Sequence, residues 1–264
     1  MNAIEINKLI YSYSNNKIRN DFVLDIDSLN IQENGFVSLI GPNGCGKSTL
    51  LKLISNFIKP ISGQIKIFDK NIENISNNNL AKLISYVPQN NFSVFPFSVY
   101  EVVMMGRFHQ LNLLGFESPE DKEIVRFALK EMQIENLANK GIKELSGGEA
   151  QRVFIARALA QQSKIILLDE PTSHLDIEHQ IMIFEKLIQL NKDLNKTIIT
   201  VSHDLNLVAN YSKRIILLYN GKIKLDGKND DVLNSENIKK YFKVNSEIVN
   251  RNNDKFNIII NPGN

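Results

Sequence analysis

The sequence holds one cysteine, Cys45, in 264 residues, so no intramolecular disulfide can form and no cysteine metal site can be built. Its four histidines are too few and too scattered to make a metal cluster of their own. No apolar run approaches the roughly 20 residues needed to span a bilayer. The best candidate, KIILLDEP, is cut off by two acids. The start, MNAIEINKLIYSYS, lacks a basic region followed by an apolar block, so no signal peptide is expected. Basic residues are scattered and the net charge is only +2, which gives a nucleic-acid partner no footing. Heptads and internal repeats are missing too. These absences describe a soluble, intracellular chain, one that needs another subunit to do any spanning at a membrane.

What is present is a succession of short apolar runs bounded by turn residues. FVSLI, KIILLDE, KTIITVSHD and KRIILLYNGKI read as buried strands, and helical patterns alternate with them. In IEHQIMIFEKLIQL, Ile177, Ile181, Phe184 and Ile188 recur at helical spacing. The alternation predicts an α/β fold with a mostly parallel sheet. The Asn-Gly of LLYNGKIKLDG predicts a tight hairpin, and EIVNRNNDKFNIII a small terminal one. From Val99 to about Gln162 the strand signal lapses, which predicts a helical insertion.

GPNGCGKST satisfies the phosphate-loop pattern through Gly41, Gly46, Lys47 and Ser48. Its backbone N–H groups, with the following helix N-terminus, can hold phosphate oxygens. Lys47 supplies charge, and the Ser48 hydroxyl can ligate Mg²⁺. The remaining loop residues Pro42, Asn43, Gly44, Cys45 and Thr49 complete the expected nucleotide cradle. Asp169 ends an apolar strand, where such proteins hold Mg²⁺. Glu170 has no metal-ligand duty left and can orient or deprotonate water. A guanine-specific switch is excluded, because NKDL at Asn191 has Leu194 where the guanine-reading carboxylate belongs.

A second anion-suited segment, LSGGE, opens a later helix. Ser146 with Glu149 forms a capping box, yet a cap does not require Gly147 and Gly148, which weaken a helix. The paired glycines predict that something must approach the backbone closely.

Taken in order, Tyr13 in LIYSYS, GPNGCGKST, Gln89 in YVPQ, LSGGE, IILLDEPTSHLD and His203 in TVSHD resemble the ATP-binding cassette ATPases over nearly the whole chain. The resemblance implies a phosphate-loop ATPase sheet core with an inserted α-helical subdomain and a small antiparallel β part at the N-terminus. It implies one cassette over 1–264, with a nucleotide-binding core of 1–90 and 163–264 and a helical subdomain at 91–162. Tyr13 would stack on adenine, Gln89 would reach Mg²⁺ and the attacking water, and Glu170 would be the catalytic base. His203 would contact the γ-phosphate, and Asp176 would communicate across a dimer. Ser146, Gly147 and Gly148 would bind the ATP held by a second copy, so two chains would close head to tail as a homodimer around two nucleotides.

The implied role is to energise a membrane transporter from the cytoplasmic face of the membrane, with permease subunits as partners. Phe92, Val94, Phe95 and Phe97 around Pro96 suggest a mixture of helical-subdomain core and an apolar groove for a permease helix. EVVMMGRFHQL, LSGGEAQRV and DEPTSHLDIEHQ are most similar to ATPases of importers for iron–siderophore complexes, haem and cobalamin, fed by a substrate-binding protein. Zinc or manganese importers are the nearest rivals, and a non-transport switch protein is more distant. Metal binding by this chain is expected to stop at the Mg²⁺ on ATP.

Overall fold

The computed structural model describes residues 1–13, 22–89, 96–110, 117–251 and 255–261. The chain begins with β1 (Asn2–Ser12), β2 (Val23–Gln32), β3 (Phe36–Ile40), α1 (Lys47–Ile54), β4 (Ser62–Ile67) and β5 (Lys70–Asn71). It continues through α2 (Asn77–Ala81), β6 (Ile84–Val87), α3 (Val99–Met104), α4 (Pro119–Glu131), α5 (Gly147–Ala160) and β7 (Ile165–Asp169). Then come α6 (Ile177–Asp193), β8 (Thr197–Val201), α7 (Leu205–Tyr211), β9 (Arg214–Tyr219) and β10 (Lys222–Gly227). The last elements are α8 (Asn229–Val232), α9 (Ser235–Phe242), β11 (Asn245–Arg251) and β12 (Lys255–Asn261). These elements form two compact units, Met1–Asn74 with Thr197–Asn264, and Ile75–Lys196.

In the first unit β2, β1, β4 and β5 form an antiparallel sheet in that order, the small β part implied by the resemblance. The strands β8, β3 and β9 run parallel, and β10 joins β9 antiparallel at the edge. Every residue of β3 and β8 is buried, which explains their unbroken apolar runs. The β9–β10 turn forms at Asn220 and Gly221, both with positive φ, as an Asn-Gly hairpin requires. The terminal hairpin of β11 and β12 forms as predicted. Around α7, β9 and α9, Ile40, Val208, Leu217, Ile238, Tyr241 and Ile258 belong to one buried cluster.

In the second unit β6 pairs parallel with β7, and α3, α4 and α5 pack on one another. The helix α6 exists as predicted, but of the four periodic residues only Phe184 lies in its core. Its core residues are Ile183, Phe184, Leu187 and Leu190, while Ile177 is 74% exposed and Ile181 is exposed as well. Apolar residues stand at two interleaved helical registers here, and packing selects the one starting at Ile183. Asn191 of NKDL is buried at the end of this helix and donates to the Lys196 carbonyl at 2.7 Å. Its amide is a structural tie. Among the described residues no helix is long and apolar enough to cross a membrane.

Candidate functional site

In the first unit the phosphate loop links buried β3 to α1, whose first turn has no side-chain cap. A helix N-terminus of this kind favours an anion. Lys47 is buried, and its Nζ donates to the carbonyls of Gly41 at 2.8 Å and Pro42 at 3.0 Å. The ammonium is thereby held inside the loop that would wrap phosphate. Gly41 has φ 145°, and a Cβ there would lie 2.1 Å from the Leu218 carbonyl oxygen, so the loop can leave β3 only through glycine. Among the described residues, nothing comes within 4 Å of a Cβ built at Gly44, as a cradle for a ligand needs. These features fit a nucleotide phosphate chain.

Cys45 is buried, and burial pushes its thiol pKa up against the lowering effect of Lys47. A protonated small side chain filling space is its role. Tyr11 is buried in β1, whereas Tyr13 is 63% exposed, and their rings meet edge to face at 5.0 Å. The Tyr13 hydroxyl lies 3.3 Å from Thr49 Oγ1, so the exposed ring is tethered beside the phosphate-loop helix. Parallel pairing of Leu39 with Val201 brings His203, just beyond β8, to the same sheet end as Gly41. The neighbouring Asp204 caps α7 by accepting from Leu207 N at 2.9 Å, so His203 is not needed as a cap.

In the second unit, Val87 pairs with Leu168 in the β6–β7 ladder. Two residues further along each chain stand Gln89 and Glu170, and Gln89 Nε2 donates to Glu170 Oε2 at 2.6 Å. Asp169 is 3% exposed and accepts from the Tyr86 hydroxyl at 3.1 Å. Tyr86 carries no sequence signal, because its role depends on register across the strand pair. Glu170 is half-buried and has φ 50°, a left-handed conformation that costs a non-glycine residue on the order of 1 kcal/mol. The turn following it is closed by Ser173, whose N–H and Oγ both donate to the Glu170 carbonyl.

Ser146 caps α5 in a full capping box, with Glu149 Oε2 accepting from Ser146 N and Oγ. These bonds hold the Glu149 carboxyl below its usual pKa. Asp176 caps α6 and accepts from His179 N at 2.9 Å and from His179 Nδ1 at 2.6 Å. The backbone bond first, then the ring, lowers the Asp176 pKa. Phe97 is half-buried and Pro96 exposed, while Phe92, Val94 and Phe95 lie outside the described residues. Among the described residues no group of three His, Cys, Asp or Glu side chains is placed to hold a metal ion.

A phosphate loop between a buried parallel strand and a helix, and a strand-end acid pair, define a nucleotide-binding ATPase of the phosphate-loop class. Residues 24–173 match the family model described as ABC transporter, and the chain belongs to that family of ATPases. It is 36% identical to the iron(3+)-hydroxamate import ATP-binding protein FhuC of Bacillus subtilis, over 94% of this chain and 91% of that one. It is 37% identical to the petrobactin import ATP-binding protein FpuC of Bacillus anthracis, over 93% of this chain and 88% of that one. An ATP-binding cassette solved as a dimer in a post-hydrolysis state with ADP and Pi superimposes with a TM-score of 0.72 at 31% identity, covering 85% of this chain and 98% of that one.

Proposed function

We propose that the chain hydrolyses ATP to energise a membrane importer for ferric siderophores, with haem and cobalamin chelates as neighbouring cargo classes. The observation that carries the enzymatic assignment is the different setting of two adjacent acids. Asp169 is buried and held by Tyr86, whereas Glu170 is half-buried and held by Gln89 at the open end of the strands. Glu170 is therefore the acid that can reach an attacking water, and a well-placed base contributes about 10²–10⁴ in rate. Mg²⁺, when bound with ATP, supplies charge that stabilises the departing phosphate, and Ser48, Gln89 and Asp169 are its proposed ligands. Tyr13 stacks on adenine, Lys47 and the loop from Gly41 to Thr49 hold the phosphates, and His203 contacts the γ-phosphate.

Ser146, Gly147 and Gly148 receive the nucleotide of a second copy, and Asp176 faces that copy, so ATP closes a homodimer. The dimeric cassette with ADP and Pi supports this assembly. The protein acts peripherally at the cytoplasmic face, bound to permease subunits that a substrate-binding protein supplies. The two import relatives support the cargo, and their differing siderophores fit a cassette that leaves recognition to its partners. Uptake in a deletion strain tests the proposal. Loss of ferric-siderophore, haem or cobalamin uptake is expected, whereas a defect confined to free zinc or manganese overturns the cargo.

A further inference from the structure

The His-Gln pair of DIEHQ is used by none of the nucleotide chemistry above, yet it stands where two functional segments meet. We infer that His179 is a positioning residue that ties the loop following β7 to the start of α5 within one chain. The inference rests on the reading that Ser146 to Gly148 receive a second copy's nucleotide.

Asp176 Oδ1 lies 2.6 Å from His179 Nδ1 and 2.9 Å from its backbone N. An ionised carboxylate only accepts, so Nδ1 carries the proton and the ring is fixed in orientation. So held, the ring lies against Gly148. A Cβ at position 148 would stand 2.4 Å from His179 Cδ2, 2.9 Å from Cγ and 3.1 Å from Nε2. At Gly148 the side chain that a Cβ would meet therefore belongs to the same chain. Among the described residues, a Cβ at Gly147 would meet only Leu175 Cδ2, at an ordinary 3.7 Å.

The next residue secures the other side of the loop. Gln180 Nε2 donates to the carbonyls of Leu175 at 3.0 Å and Thr172 at 3.4 Å. Thr172, Ser173 and Leu175 lie between Glu170 and Asp176, and Ser173 closes back on the Glu170 carbonyl. A continuous set of contacts therefore runs from Gly148 through His179 and Asp176 to the residue that activates water. A shift of the α5 start against an incoming phosphate must displace the ring or carry the loop with it. The link sets how well Glu170 is placed when the second copy's nucleotide arrives, so its loss lowers turnover and spares ATP capture.

The test uses the purified full chain with Mg·ATP. His179→Ala is expected to lower kcat roughly tenfold with KM for ATP unchanged within about twofold, inside the hundredfold loss that a displacement of about 1 Å causes. His179→Asn, whose amide can still donate to Asp176, should recover most of that turnover. Gly148→Ala should be at least about threefold less harmful in the His179→Ala background than in the wild type, because the ring it collides with is gone. Rates are referred to the folded fraction from thermal melting. Wild-type turnover by His179→Ala, or an equal effect of Gly148→Ala in both backgrounds, overturns the inference. Ser146→Arg, run alongside, reads the underlying assignment alone. If ATP-driven dimerisation survives it, the second-copy reading fails. If dimerisation is lost there while the His179 cycle shows no coupling, only the link through His179 fails.

Discussion

Replacing Arg107 with alanine should destabilise the protein by about 3–5 kcal/mol, the range for removing one partner of a buried ion pair. Arg107 is 2% and Asp121 5% exposed, and Nε lies 2.9 Å from Oδ1. Nη1 also donates to the Ala160 carbonyl and Gln162 Oε1, both at 3.0 Å, so one guanidinium joins the segment after α3 to α4 and the end of α5. Among the described residues, the variant leaves a carboxylate inside the unit with only its capping bonds from Ser118, N–H at 3.0 Å and Oγ at 2.7 Å. Burial works to raise the Asp121 pKa, but the bonds from Ser118 and Arg107 outweigh it and hold the group below the usual carboxylate range. A depressed folded pKa contributes stability above the unfolded value of about 3.9 and loses it as pH falls through the folded pKa. The gap between wild type and variant should therefore be full at pH 7 and shrink below about pH 4. Adding Asp121→Asn removes the stranded charge and should restore at least about 1 kcal/mol. Urea unfolding at pH 7 measures all three proteins. A loss under about 1 kcal/mol for Arg107→Ala, or no recovery in the double variant, refutes the reasoning.

Two further perturbations address the nucleotide cradle. Tyr13→Ala should weaken ATP binding by about 5–150-fold, the equivalent of roughly 1–3 kcal/mol for a stacked base, while Tyr13→Phe stays near wild type. Unchanged affinity in the alanine variant would remove adenine stacking from the account. Gly41→Ala should abolish nucleotide binding, because its Cβ would meet the Leu218 carbonyl at 2.1 Å where φ is 145°. A folded variant that binds ATP normally contradicts that loop geometry.

The strands β3, β7, β8 and β9 were legible because burial on both faces leaves an unbroken apolar run, and the phosphate loop because its glycines are dictated by backbone geometry. The core face of α6 was not, since Ile177 and Ile181 fit the helical period as well as Ile183 and Leu187 do, and only packing separates them. Arg107 stands in the EVVMMGRFHQL segment, but its partner Asp121 sits fourteen residues further on, at no diagnostic spacing. The contacts of Gln89 with Glu170 and of Tyr86 with Asp169 follow from the β6–β7 register, which a sequence does not state. Gly148 is the instructive case. The paired glycines read as room for a nucleotide, whereas the side chain that lies against Gly148 within the chain is the ring of His179, thirty-one positions later.

The central claim is that Glu170 activates water while the rest of the site binds ATP and closes a dimer. Glu170→Gln keeps the shape and the reach to Gln89 but cannot take a proton. Measured by ATPase turnover together with light scattering in Mg·ATP, the variant should hydrolyse ATP about 10²–10⁴-fold more slowly. It should also accumulate as an ATP-bound dimer. Turnover near the wild-type rate, or a variant that stays monomeric with ATP bound, contradicts the account.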